Sequence, residues 1–350
     1  GKRFGSLSDT TVRFGNIPAT LTSVSSQRIK GVVPTVTNPS AAFLPVQVVS
    51  GGSISTISEA FRFLLEPGQG TGVWREERPV PVQVGVCAAA AAGGLNYVLS
   101  GDSASFSGFD TASGEWTGDF PPPPVRVQHP VLTAAGSELV LLGDVPGSST
   151  WVVQVYSPYG RTWRTAAPGP WVTVSPAVAA LGRRLYVCGG QLAGAPSSLA
   201  AVYDVDLDQW SALAQTPYPL TDGAAASDGS KVWVFGGTPN SAALDVQCFN
   251  PELGAWTVPS AAAGNSIPNR QGARAAYFAG EFYLFGGRAP NGDALSRVDA
   301  LLPSVLKWRS EVALPEAVWG SGVIPEETEI FVVGGANQKA GVRSARYLVR

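Results

Sequence analysis

A closed ring of four-stranded antiparallel blades, a β-propeller, is the fold this sequence predicts, and three observations predict it. An apolar run ending in Gly-Gly or Gly-Asp recurs along the chain, its first glycine falling at Gly51, Gly101, Gly143, Gly189, Gly236, Gly286 and Gly334. A tryptophan follows an aromatic residue or leucine by seven positions at Phe109–Trp116, Tyr156–Trp163, Tyr203–Trp210, Phe249–Trp256 and Leu301–Trp308. No segment keeps a helical period of apolar residues over a useful length. Units recurring every 42–50 residues that each read as four short strands bury themselves by stacking on their neighbours around a central channel.

The elements of one unit follow in order. Around Gly189 they are "TVSPAVAAL", "RLYVCGG", "AAVYDVD" and "WSALAQ". The second strand is a continuous apolar run because it is covered on both faces. The third and fourth are joined by turn residues, as in "DTASGE", "SPYGRT", "DVDLDQ" and "NPELGA". Seven glycine landmarks predict seven blades over residues 31–350, with Trp74 assigned to the first of them after Leu65. The seventh unit ends at Arg350 before its fourth strand and the tryptophan that strand should carry. Residues 1–30 are therefore expected to hold a closing strand near Val12–Phe14, since an open ring leaves an unpaired strand edge. On this reading residues 1–350 are one domain. Six blades, with the first 100 residues forming something else, is the alternative count.

The glycine pair, the aromatic about thirteen residues later and the tryptophan seven beyond it resemble kelch repeats over roughly residues 30–350. Gly101-Asp102, Gly143-Asp144 and Leu301 depart from the pattern and mark degenerate blades. The resemblance implies the fold strongly and the function weakly.

Composition narrows the function. The chain is 45% hydrophobic and 14% charged with a net charge of −2, so it lacks the clustered cations that nucleic acid or an anionic membrane surface requires. No apolar stretch reaches the ~18–20 residues of a membrane helix. So low a charge content points to a surface covered by partners, as in a subunit of a large assembly. The three cysteines are widely spaced and form no disulfide or metal-knuckle pattern, and no glycosylation acceptor occurs. An intracellular, cytoplasmic protein is expected, with an organelle after presequence removal as the alternative.

Reactive-looking residues are weighed against their place in the repeat. Cys188 precedes a glycine pair where other units carry Ser100, Leu142, Phe235, Phe285 and Val333, which makes it a packing residue. The glycines open no helix and so form no phosphate loop. His129 is the single histidine, which rules out the two-histidine copper site of kelch-fold radical oxidases, and no nucleophile elbow is present. Asp102, Asp144, Asp222 and Asp293 are scattered over different units. No cofactor or metal is expected.

In a propeller the loops after the second and fourth strands emerge on one face. Here they carry Arg126, His129, Trp171, Tyr218, Asp222, Arg270, Arg274, Arg288, Glu316, Trp319 and Asn337, rich in the Trp, Tyr and Arg of binding hot spots and stiffened by proline. The expected function is a non-enzymatic protein-binding scaffold, adaptor or assembly subunit. The alternative is a metal-independent, sugar-directed epimerase or mutarotase resembling the kelch-fold sialic-acid mutarotases.

Overall fold

The computed structural model describes all residues except 1–3, 5, 15–16, 27, 33–43, 62–71, 82–84, 119, 146, 149–150, 239–245, 260–269, 328, 338–343 and 350, with the backbone alone at 44–45, 57–61 and 344–349. The chain divides into two compact units, one of residues 1–70 and one of Thr71–Val349. Among the described residues every regular element is a strand.

The larger unit holds six four-stranded antiparallel sheets. Blade 1 spans Cys87–Thr117, blade 2 Gln128–Thr165, blade 3 Ala177–Ala212, blade 4 Ala224–Thr257 and blade 5 Arg274–Ser310. Blade 6 takes Gly322–Pro325, Ile330–Val333 and Ser344–Val349 from the C-terminal end and Gly72–Glu76 as its fourth strand. The inner strands neighbour one another in cyclic order, and that of blade 6 lies beside that of blade 1. Alanine dominates them (Ala88–Ala92, Ala177–Ala180, Ala224–Ala226), because strands converging on an axis leave little lateral room.

The expected seven blades closed by Val12–Phe14 are thus replaced by six blades closed by Gly72–Glu76. Thr10–Phe14 instead pairs with Leu44–Ser50 and Ile17–Pro18 in a four-stranded sheet of the smaller unit, which also holds the hairpin Thr20–Val24/Ile29–Val32. The supposed first repeat is a hairpin of that sheet. Ser50 faces Ser53 across Gly51-Gly52, both at positive φ (54° and 73°), the geometry of a two-residue type I′ turn. Leu65, the partner expected for Trp74, lies outside the described residues. Trp74 sits opposite Tyr347, the register that Tyr203–Trp210 and Phe249–Trp256 hold in their own blades.

Six buried clusters fill the six junctions between blades. Five outer-strand tryptophans add a directed contact. The indole N–H of Trp116 donates to the Arg78 carbonyl (3.0 Å), Trp163 to Pro121 (2.7 Å), Trp210 to Ala167 (3.1 Å) and Trp256 to Ala214 (2.9 Å). Each acceptor lies in the segment leaving the preceding blade, so the repeated tryptophan is an inter-blade clasp. Trp74 extends the series to blade 6 by donating to the Val312 carbonyl at 3.1 Å.

Cys188 is 1% exposed in the junction between blades 3 and 4. Burial pushes its thiol up to about 12 and those of Cys87 and Cys248 to about 11, so the thiolate is scarce at neutral pH. We expect an aromatic disulfide reagent at pH 8 to leave all three cysteines of the native chain unlabelled and to titrate three only on unfolding. Rapid labelling of one native thiol would overturn this packing role.

Candidate functional site

The glycine landmarks build one mouth of the central channel. The second-glycine N–H reaches across to the next blade: Gly190 donates to Leu220 (2.7 Å), Gly237 to Arg270 (3.2 Å), Gly287 to Val318 (2.8 Å) and Gly335 to Gly85 (2.8 Å). A Cβ on Gly189 would lie 2.5 Å from the Leu220 carbonyl oxygen, and one on Gly286 2.3 Å from that of Val318. The pair is glycine because the backbone of the next blade occupies the side-chain position.

Two residues before each of four inner strands stands a residue at positive φ: Ser175 (52°), Asp222 (55°), Gly272 (63°) and Gly320 (64°). His129 (47°) takes the same place in blade 2, where the register of the inner strand shifts. Their backbones link blade to blade. Gly320 N–H donates to Gly272 (2.9 Å), Gly272 to Asp222 (2.8 Å), Asp222 to Ser175 (3.0 Å), and Cys87 to Gly320 (2.9 Å). The left-handed conformation costs a non-glycine residue about 1 kcal/mol, tolerated best by Asp, Asn and His. Hydrogen bonding around the belt offsets that cost and fixes the side chains at the lip.

The lip opens into a cavity of about 430 Å³ lined by the inner strands, with His129, Thr133, Ser175, Asp222, Arg274 and Trp319 among its walls. His129 Nδ1 lies 2.9 Å from Asp144 Oδ1, the aspartate that replaces the second glycine in blade 2. The Arg288 guanidinium stacks over the Trp319 ring at 4.1 Å and lies 3.9 Å from the Asp222 carboxylate. Arg288 reaches this place because residues just after the glycine pairs bridge to residues just before the lip: Gln191 to Val174, Thr238 to Thr221, Arg288 to Gln271 and Ala336 to Trp319. Arg274 opens the inner strand of blade 5. Burial disfavours its charge and draws its pKa below the ordinary arginine value, partly opposed by the nearby Asp222.

Five of the residues expected from sequence, His129, Asp222, Arg274, Arg288 and Trp319, therefore meet at one mouth. Arg126, Trp171 and Tyr218 lie outside the cavity lining, on the segments between blades. Asn337 Nδ2 sits 3.5 Å from Glu316 Oε2. Arg270 is a correction: it is 2% exposed and structural. Its guanidinium is held by Asp299 Oδ2 at 2.6 Å and by the carbonyls of Gly286 (3.2 Å) and Arg297 (3.1 Å). The reason is repeated in other blades, where Gln154 and Gln247 two residues before the third-strand aromatic pin the incoming segment through Val125 and Tyr218. In blade 5 that position is Asp299, and it recruits an arginine. Ser175 and Thr133 were missed; lining up the units on their inner strands, rather than on their glycines, places Ser175 at the lip.

The arrangement presents two cations, an indole, an imidazole and hydroxyls around the opening. Among the described residues no group of three His, Cys, Asp or Glu side chains is placed to hold a metal ion. No helix among them is long and apolar enough to cross a membrane.

Comparison with known proteins finds one match within each of the two units. Residues 1–63 match the IPT/TIG domain, and residues 175–344 match the KLHDC2/KLHL20/DRC7 kelch-repeats domain. Beta-scruin of Limulus polyphemus is 37% identical over 57 residues, 16% of this chain and 6% of that protein. Alpha-scruin of the same animal is 36% identical over 53 residues, 15% of this chain and 6% of that protein. The chain thus covers only a small part of these relatives. With the repeated glycine pairs, the tryptophan clasps and the four-stranded blades, these matches make residues 175–344 similar to the kelch-repeats domain.

Proposed function

We propose that this protein is a binding scaffold whose propeller takes a protein partner at the mouth framed by His129, Asp222, Arg274, Arg288 and Trp319. The observation that carries the reading is the Arg288–Trp319 stack at 4.1 Å beside Asp222, set on a hydrogen-bonded lip. Arginine and tryptophan supply most binding energy when held rigid, because little side-chain freedom is left to lose on association. The similarity of residues 175–344 to the kelch-repeats domain supports the same reading.

The test is quantitative recovery of partners by the tagged full chain and by Arg288→Glu. A stoichiometric partner of the native chain should fall by about tenfold or more with the variant, the loss typical of a central hot spot, while its melting stays within about 3 °C. Equal recovery by both overturns the assignment of the mouth. Calorimetry with N-acetylneuraminic acid addresses the carbohydrate alternative: one saturable site per chain, with no stoichiometric protein partner, overturns the scaffold reading.

A further inference from the structure

One inner-strand position in blade 5 departs from its counterparts. Across each inner ladder, the residue just before the first glycine of a unit pairs with an equivalent partner. Those partners are Cys87, Val131, Ala177, Ala224, Gly322 and, in blade 5, Arg274. The other five blades fill the place with a small or apolar side chain, so packing gives no reason for an arginine.

Two other arginines drawn into the fold are paired with carboxylates: Arg270 with Asp299 at 2.6 Å, and Arg309 with Glu281 and Glu311. Arg274 is not. Among the described residues its guanidinium makes no ion pair, and its one hydrogen bond runs from Nη1 to the Ala273 carbonyl at 3.4 Å. The Asp222 carboxylate, which acts on its charge, is engaged by Arg288 instead. Arg274 is half-buried in the cavity wall, and its charge interacts with Asp222 of blade 4 and Cys87 of blade 1, both outside its own blade, as an inward side chain would. A charge drawn out of water without a partner is costly. An arginine fork with free N–H donors matches the two oxygens of a carboxylate in parallel hydrogen bonds. Asp222 in the same wall disfavours a dianion such as phosphate.

We propose that Arg274 anchors a carboxylate inside the channel mouth, where the ligand's negative charge supplies the partner that the protein withholds. Thr133 and Ser175, whose hydroxyls make no hydrogen bond among the described residues, stand in the same wall as further donors. The carboxylate belongs either to a free organic acid or to an acidic residue of the protein partner. In the second case the inference rests on the reading of the mouth as a protein-binding site.

The full chain, carrying isotope-labelled arginine, is titrated at fixed ionic strength with sodium acetate, acetamide, inorganic phosphate and the peptide acetyl-Gly-Asp-Gly-amide. The guanidinium resonance missing from Arg274→Gln identifies the site, and Arg274→Lys serves for that assignment should the first variant fail to fold. Acetate is expected to shift this resonance to saturation, with phosphate shifting it less and acetamide leaving it in place. Acetate should also raise the melting temperature of the native chain, as any ligand of the folded state does, and the rise should vanish in the folded variant. No saturable shift, an equal shift with acetamide, or a larger one with phosphate overturns the proposal. A peptide affinity about tenfold or more above that of acetate assigns the carboxylate to a protein partner; a smaller ratio assigns it to a free organic acid, and both sustain the site. Acetate is read with no second protein present. Its shift therefore survives a failure to recover partners, and its absence leaves the Arg288→Glu comparison standing.

Discussion

A chain beginning at Thr71 should fold and melt as a complete propeller, whereas one beginning at Arg78 should not. The two differ by the strand Gly72–Glu76, which pairs over five residues with Ser344–Val349 and supplies the tryptophan clasp of blade 6. Removing it bares the edge of Ser344–Val349 and takes the Trp74 indole away from Phe285, whose ring lies 6.2 Å from it in the junction of blades 5 and 6. Lost packing, strand pairing and the indole bond together cost on the order of 5 kcal/mol, a large share of the 5–15 kcal/mol that stabilises a domain. Arg78 is retained in both chains because its carbonyl receives Trp116. Trp74→Ala in the full chain isolates the clasp and should cost about 3 kcal/mol. Equal melting of the chains that start at Arg78 and at Thr71 would refute this closure.

Much of that arrangement was legible in the sequence. Strand order within a blade, the buried second strand and the pairing of an aromatic with a tryptophan seven residues later all follow from local periodicity and turn chemistry. Blade number did not, for two physical reasons. A type I′ hairpin and a blade both place a glycine pair after an apolar run, so Gly51-Gly52 imitated a repeat; the difference is that Ser53 starts the next strand at once. Closure of a ring also joins residues distant in sequence, so Trp74 belongs with Tyr347 and no local spacing reveals it. The mouth was half legible. Loop membership brought Asp222, Arg274, Arg288 and Trp319 forward, but it also promoted Arg270, whose burial depends on Asp299 in another strand. Asp144 was visible as a departure from Gly-Gly and as one of four scattered carboxylates, but its contact with His129 was not.

Gly286→Ala should be among the most destabilising single substitutions in the propeller. At φ 56° the alanine pays about 1–2 kcal/mol for the left-handed backbone, and its Cβ would approach the Val318 carbonyl oxygen to 2.3 Å. That oxygen is the acceptor for Gly287, so relief of the clash pulls blades 5 and 6 apart at the lip and breaks a 2.8 Å hydrogen bond. Overpacking adds about 1–3 kcal/mol, giving roughly 2–5 kcal/mol and a melting point lower by about 10 °C. Gly292→Ala provides the comparison within the same blade, because Gly292 is also left-handed (φ 90°) yet has nothing within 4 Å of its Cβ position. It should lose only the backbone term, about 3 °C. The difference between the two measures the close approach alone. Because the Val318 carbonyl immediately precedes Trp319, the same substitution should move the indole on which Arg288 rests. Partner recovery should then fall in the part of the population that stays folded. If both alanines lower the melting point equally, the glycine pairs serve backbone conformation only, and the lip is not the clamp between blades described above.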